Sequence, residues 1–271
     1  MKKDEQEGEK MISSTTKSHL LEALNKGIRF DKRKKEEFRK IEIKTGCAET
    51  AEGSAEVKIG ETRVIAGVKF SIESPFHDTP DEGVLMVNVE ESPIASPNFE
   101  LGPPSIEAIE LARVVDRGLR ESKVIDFKEL CIEKGEKVWF VSVDIVTLND
   151  DGNLLDACGL AALAALADAR FPEVVDGNVD YHNKTKKKLK LVKLPVPITV
   201  YKIGNHLVVD PTSEEQPLAD ARLTITTIEN GEICALQKGG EGSLEIDEIG
   251  KMVDIASEKG KELRGQIKKL I

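Results

Sequence analysis

The 271-residue chain is long enough for two small domains or one large one, and it carries a formal charge of −10 with 39% apolar and 32% charged residues, the balance of a soluble globular protein. No run of about 18 apolar residues is present, which excludes a membrane-spanning helix. The N-terminal MKKDEQEGEK has no apolar signal core, so residues 1–19 read as a flexible charged tail and the protein as cytoplasmic. Cys47, Cys131, Cys158 and Cys234 lie far apart without a CxxC, and His19, His77, His182 and His206 are equally scattered. Neither set has the spacing of a zinc site or a disulfide framework, and no metal or cofactor is expected.

In chain order, Lys17–Lys26 predicts a short helix, followed by a charged passage, Gly27–Arg39. Alternation predicts strands at Ile41–Thr45, Ala55–Ile59, Arg63–Phe70 and Val84–Glu90, the middle two joined as a hairpin across Gly60–Glu61–Thr62. Ser92–Pro104 holds Pro93, Pro97, Pro103 and Pro104 and must be an extended loop. A helix over Ser105–Ser122, a strand over Val138–Leu148, a turn at Asp150–Asn153 and an apolar helix over Leu154–Arg170 follow. Asp176–Pro195, with its KTKKKLKLVK run, reads as a solvated linker, with RNA contact by its lysines the lesser alternative. Beyond it come two hairpins, Val196–Ile203 with His206–Asp210 and Arg222–Ile228 with Glu232–Leu236. The second turns on Asn230–Gly231, a type I′ signal, and a last helix spans about Leu244–Leu270. Strands precede helix in both halves, an α+β pattern repeated once: a domain at 20–175, a linker at 176–195 and a domain at 196–271.

The helix Ser105–Ser122 holds the sharpest chemical signal. Ala108, Leu111, Val115 and Leu119 form its apolar stripe, while Arg113, Arg117 and Arg120 recur on the opposite face. Arg presents forked donors that match phosphate oxygens, so the stripe is a candidate anion grip. Glu110, Asp116 and Glu121 are interleaved at three- and four-residue spacings, so the same stripe also reads as a face of surface ion pairs.

Several segments, in this order and spacing, carry a resemblance. Gly53–Ser54–Ala55 precedes Gly60–Glu61–Thr62; IELARVVDRGLR occupies 109–120; DGNLLDA occupies 151–157; and VDPTSEE occupies 209–215. From about residue 20 onward the chain resembles the ribonuclease PH family, and within it the non-catalytic ring subunit of the archaeal exosome. The resemblance implies a ribonuclease PH-like fold of two mixed-sheet and helix subdomains. It also implies a place beside a catalytic ribonuclease PH-like subunit, three such pairs around a channel, RNA-binding cap subunits, and contact with single-stranded RNA through Arg113 and Arg117, with Arg120 as a further position.

Active members of the family attack the RNA 3′ end with inorganic phosphate, and their pocket needs positive charge. Where the family's phosphate arginine would stand, at the start of the arginine helix, this sequence has Glu107 or a near neighbour. Where active members follow the glycine turn with Thr-Arg or Ser-Arg, it has Leu154 and Leu155. A dianion has no counter-charge there. Asp220 still matches a catalytic acid of the active type, and Glu214 or Glu215 lies near the other. No catalytic residue is therefore expected. Two rivals remain: an active exoribonuclease using Asp220, Glu214 or Glu215, and Asp144 or Asp150, and a purely structural ring member that never touches RNA.

Overall fold

The computed structural model describes residues 15–175 and 178–270. Helix α1 covers residues 15–25, so the expected tail is helical from residue 15; the rest of that tail lies outside the described residues. Leu20 and Leu24, one turn apart, bury against Ile203, Val208 and Leu218 and tie α1 to the second half of the chain.

The first sheet has the order β1-β2-β3-β6-β4, from β1 (Ile41–Thr45), β2 (Gly53–Ile59), β3 (Thr62–Glu73), β4 (Val84–Glu90) and β6 (Lys137–Asn149), with β5 (Cys131–Glu133) also paired to β6. Its pairs are antiparallel except β4 with β6. Parallel neighbours require a crossover, and α2 (Ile106–Ser122) lies within it. The second sheet is antiparallel, with the order β10-β9-β11-β12, from β9 (Val196–Ile203), β10 (His206–Val209), β11 (Ala221–Thr227) and β12 (Ile233–Gly239).

Helix α3 (Leu154–Asp168) packs on β2 and β3 of the first sheet and on β9 of the second. Every α3 residue except Asp168 is buried, which is why its sequence is apolar on all sides. Its alanines let both sheets approach closely. Gly159 is required where β9 crosses, since a Cβ there would stand 2.2 Å from Pro197 Cγ. All of β9 except Lys202 is buried, with α3 against one side and α4 (Ile246–Ile267) against the other. The layers are thus sheet, helices α2 and α3, sheet, and α4. One continuous hydrophobic cluster runs from Val57 and Val68 through Leu160 and Leu163 to Ile198, Met252 and Ile267.

Two expectations are corrected. The segment 176–195 is not an open linker: β7 (Arg170–Val175) pairs with β8 (Asn178–Lys188) as a two-stranded antiparallel ribbon with bulges. Its lysines sit on strand because the ladder takes up the backbone while the side chains stay in water. Nor is Asn230–Gly231 a type I′ turn. Only Gly231 has a positive φ (84°), its N–H donates to Ile228 O at 3.0 Å, and Ile228 N–H donates to Glu232 O at 3.0 Å. That is a three-residue loop, a type I turn completed by a left-handed glycine.

Candidate functional site

Helix α2 is set by its ends. Ser105 Oγ accepts from Ala108 N–H at 2.9 Å, and Lys123 closes the C-terminus in the left-handed region at φ 56°. Ala108, Leu111, Val114, Val115, Gly118 and Leu119 are buried and fix the helix against β4, α3 and β12. Arg113, Arg117 and Arg120 are all exposed. They do not share one environment. Arg120 pairs with Asp116 at 2.5 Å, the ordinary four-residue surface bridge. Glu110, three residues before Arg113, is drawn away by Arg222 of β11 at 2.6 Å, and Glu121, four residues after Arg117, is exposed and makes no ion pair among the described residues. Among the described residues, Arg113 and Arg117 have no ion pair or side-chain hydrogen bond. They line a groove of about 420 Å³ between α2 and β12, with Ile106, Ile109, Leu236 and Gln237. Two unpaired guanidinium groups in an open groove leave their donors available to an anionic ligand.

The second arrangement lies at the N-terminus of α3, and it is closed. Asn153 enters the helix at φ 60°, and its N–H donates to Gln216 Oε1 at 2.8 Å. Leu154 and Leu155 are buried. The loop from Asp210 to Gln216 is bolted over this helix end by three arginines. Arg39 donates to Asp210 (Nη2 to Oδ1, 2.7 Å), to Asp151 Oδ2 at 2.9 Å and to Gly152 O at 3.1 Å. Arg33 donates to Asp210 Oδ2 at 2.9 Å. Arg29, fully buried, donates to Val209 O and Asp210 O, both at 2.8 Å, and forms a two-pronged pair with Glu215. Ser213 Oγ donates to Asp151 Oδ1 at 2.7 Å. Gly152 at φ 82° is needed here, because a Cβ would meet Pro211 O at 2.5 Å. Burial pushes the Asp210 carboxyl up, but the hydrogen bonds and charges of Arg39 and Arg33 more than offset it and hold it below its usual value.

One acid behind this end titrates in the opposite direction. Asp156 is wholly buried, and that burial raises its carboxyl to about 8, against the opposing bonds of Thr199 and Asn153. Thr199 Oγ1 donates to one carboxyl oxygen at 2.8 Å and lies 3.0 Å from Thr224 Oγ1, while Asn153 Nδ2 donates to the other carboxyl oxygen at 3.1 Å. A folded-state value above the unfolded one means that stability is lost as pH rises from near 4 toward 8, with a slope of up to about 1.4 kcal/mol per pH unit. Asp156→Asn removes that loss. Melting curves of the two proteins should nearly coincide at pH 4.5 and separate in favour of the variant by pH 8. A gap independent of pH would show Asp156 to be ionised in the fold.

With this geometry in place, comparison with known proteins decides the family. Residues 37–172 match the sequence pattern of the 3′ exoribonuclease family, domain 1, and residues 193–259 match its domain 2. The chain belongs to the 3′ exoribonuclease family. Exosome complex component Rrp42 of Methanopyrus kandleri is 43% identical over 260 residues, covering 95% of this chain and 97% of the relative. The same component of Thermococcus gammatolerans is 46% identical, with 94% of each chain covered. A solved Archaeoglobus fulgidus exosome with RNA bound to the active site has a chain that superposes with a TM-score of 0.87 at 45% identity, covering 94% of this chain and 99% of that one. An archaeal exosome core gives 0.83 at 40% identity, covering 96% and 99%.

Within this 3′ exoribonuclease fold, Glu107 and the carboxylates of the active-enzyme alternative each have a place. Glu107 is exposed in the first turn of α2, where it faces the positive end of the helix dipole. Glu215 is consumed by Arg29, and Glu214 is exposed. Asp220 accepts from Lys17 Nζ at 2.6 Å and from Gly204 N–H at 2.7 Å. Asp144 accepts from Asn88 and Ser142, and Asp150 from Gly152 N–H. Among the described residues no three His, Cys, Asp or Glu side chains are grouped to hold a metal ion. Sequence reasoning missed Arg29, Arg33 and Arg39, which lay in what read as a featureless charged passage. The available signal was the choice of Arg at these three places among neighbouring lysines, since forked donors suit buried carboxylates and carbonyls where ammonium does not.

Proposed function

We propose that this chain is a non-catalytic subunit of an archaeal-type exosome ring. It pairs with a catalytic ribonuclease PH-like subunit, three pairs enclosing a channel, and works in the cytoplasm with RNA-binding cap subunits. Its own contribution is to grip single-stranded RNA at the groove between α2 and β12 while the partner carries out 3′-to-5′ phosphorolysis. The observation that carries this reading is the contrast between the two sites. The end of α3, where a phosphate would be held by backbone N–H groups, is filled by Leu154, Leu155 and the Asp210–Gln216 loop. The groove is open and holds two uncommitted arginines. Backbone grip along a threaded strand needs cations but no chemistry and reads no sequence. Four unpaired cysteines suit a reducing compartment.

The test is reconstitution. The purified chain, given a 3′ single-stranded tail and phosphate, should release no nucleoside diphosphates. Mixed with the catalytic subunit it should give a particle of six ribonuclease PH-like chains that degrades the tail. Phosphorolysis by the chain alone, abolished by Asp220→Asn, would establish the active-enzyme reading instead.

A further inference from the structure

The β7–β8 ribbon carries a charge pattern that the fold does not use. From Tyr181 to Val209 the sequence has no Asp or Glu, although the whole chain is acidic. Three lysines of this stretch are committed: Lys184 donates to the carbonyls of Glu49 and Ala51, Lys187 lies 4.6 Å from the centre of the Phe171 ring, and Lys202, on β9, pairs with Glu248 at 2.7 Å. Lys186, Lys188 and Lys190 are exposed and, among the described residues, have no hydrogen-bond or ion-pair partner. Across the ladder Lys188 stands opposite Arg170, which is also exposed and unpaired. Like charges facing each other on an antiparallel pair destabilise it, and among the described residues neither of these two side chains pairs with a carboxylate. The acids of the ribbon are segregated toward its other end, where Glu173 faces Asp180.

The basic end is joined to the arginine helix. Leu191 bridges to Ile125, and Val192 N–H donates to Val124 O at 2.7 Å, just past the C-terminus of α2. Burial pushes up the thiol of Cys234 on β12, and the charges of Lys193 and Glu121 act on it in opposite directions. Cys234 Sγ in turn lies 3.8 Å from Gly118 O, one residue beyond Arg117. Lys193, Lys190 and Lys188 therefore lead away from the C-terminal end of the helix on which Arg113 and Arg117 stand. At helix and strand rises the row from Arg113 to Lys188 spans on the order of 25 Å.

We propose that Lys186, Lys188 and Lys190, with Arg170, form a second phosphate-backbone site that extends the α2–β12 groove, so that single-stranded nucleic acid is held along the ribbon as well as at Arg113 and Arg117. The proposal deepens the RNA-grip reading and rests on it for the direction of the strand. A nucleic-acid backbone suits this surface better than an acidic protein does, because lysine is depleted in protein–protein interfaces but serves freely as a point charge for phosphate. Binding here neutralises the Arg170–Lys188 repulsion.

The experiment measures binding of the full chain, alone and in the assembled ring, to uniform RNA oligonucleotides of about 6 and about 20 nucleotides over a range of salt. Replacing Lys186, Lys188 and Lys190 by Gln should weaken the long oligonucleotide by about tenfold or more. It should flatten its salt dependence by roughly 0.7 for each phosphate no longer neutralised and leave the short one unchanged. Lys→Arg at the same positions should restore binding, which separates loss of charge from loss of fold. The short oligonucleotide reads the Arg113–Arg117 grip and the difference between long and short reads the ribbon, so failure of either is seen separately. Unchanged long-RNA affinity and salt slope in the Gln variant would overturn the proposal, as would loss confined to a polyglutamate probe, which would mark an acidic protein surface instead.

Discussion

Replacing both Arg113 and Arg117 with glutamate should lower the affinity of the assembled ring for single-stranded RNA by at least about a hundredfold and leave the ring itself intact. The assembly should survive because both side chains stand clear of the buried face made by Leu111, Val115 and Leu119. The affinity should fall because each charge-assisted phosphate interaction contributes on the order of 1.5–3 kcal/mol, and the reversal adds repulsion to the loss. The loss should be the same for every RNA sequence, since backbone contacts carry no base information, and the salt dependence should become shallower by roughly 0.7 for each phosphate released. Arg120→Glu, in contrast, should cost little beyond its bridge to Asp116. Filter-binding or anisotropy titrations check all of this. Wild-type binding and degradation by the double variant would leave the groove arginines as solvated charge and the subunit as a purely structural ring member.

The largest effect on stability is expected at Asp210. This buried carboxylate accepts from Arg39, Arg33 and Asn153; Arg39 also pairs with Asp151 and Arg33 with Asp31, but among the described residues Asp210 alone pairs with both guanidinium groups. Breaking a buried ion pair from one side leaves charge only partly compensated, by Asp151 and Asp31 at the more exposed side, so Asp210→Ala should destabilise the chain by about 3 kcal/mol. For a protein of this size that corresponds to a fall in Tm of roughly 10 °C. The pH dependence distinguishes this from simple loss of packing. The folded carboxyl lies below its unfolded value of 3.8, so its contribution is complete above that pH and is lost as pH falls through the lower folded value. The gap in Tm between native protein and variant should therefore be full at pH 7 and shrink below about pH 4. A constant gap would assign the effect to the cavity left by the side chain.

Periodic segments were legible because burial writes itself into the sequence. The strands Ile41–Thr45, Val84–Glu90 and Val196–Ile203 have the bounds that their alternation or apolar runs predict, and α2 differs by one residue. The arginine groove was half legible: helical spacing placed Arg113 and Arg117 on one face. It could not tell that Glu110 would be taken by Arg222, more than a hundred residues away, and so be lost to Arg113. The same limit hid the clamp on α3. Arg29, Arg33 and Arg39 look like a solvated charge run until the chain returns at Asp210 and Glu215 to meet them. The lysine-rich stretch after Asp176 misled in the other direction. Charge and local Gly and Asn suggested a linker, yet strand pairing asks only that backbone groups find partners, and alternating exposed lysines do not prevent it.

Helix α3 has one further consequence. It is the floor of the first sheet and, through Gly159 against Pro197, the ceiling of the second. Neither duplicated half therefore owns an interior of its own. Cut apart, the first half would expose the alanines and leucines of α3 and the second the β9 face around Pro197 and Thr199, each a flank able to seek a new companion. The molecule should lose structure in one all-or-none step, with a heat-capacity change set by the whole chain and not by either half.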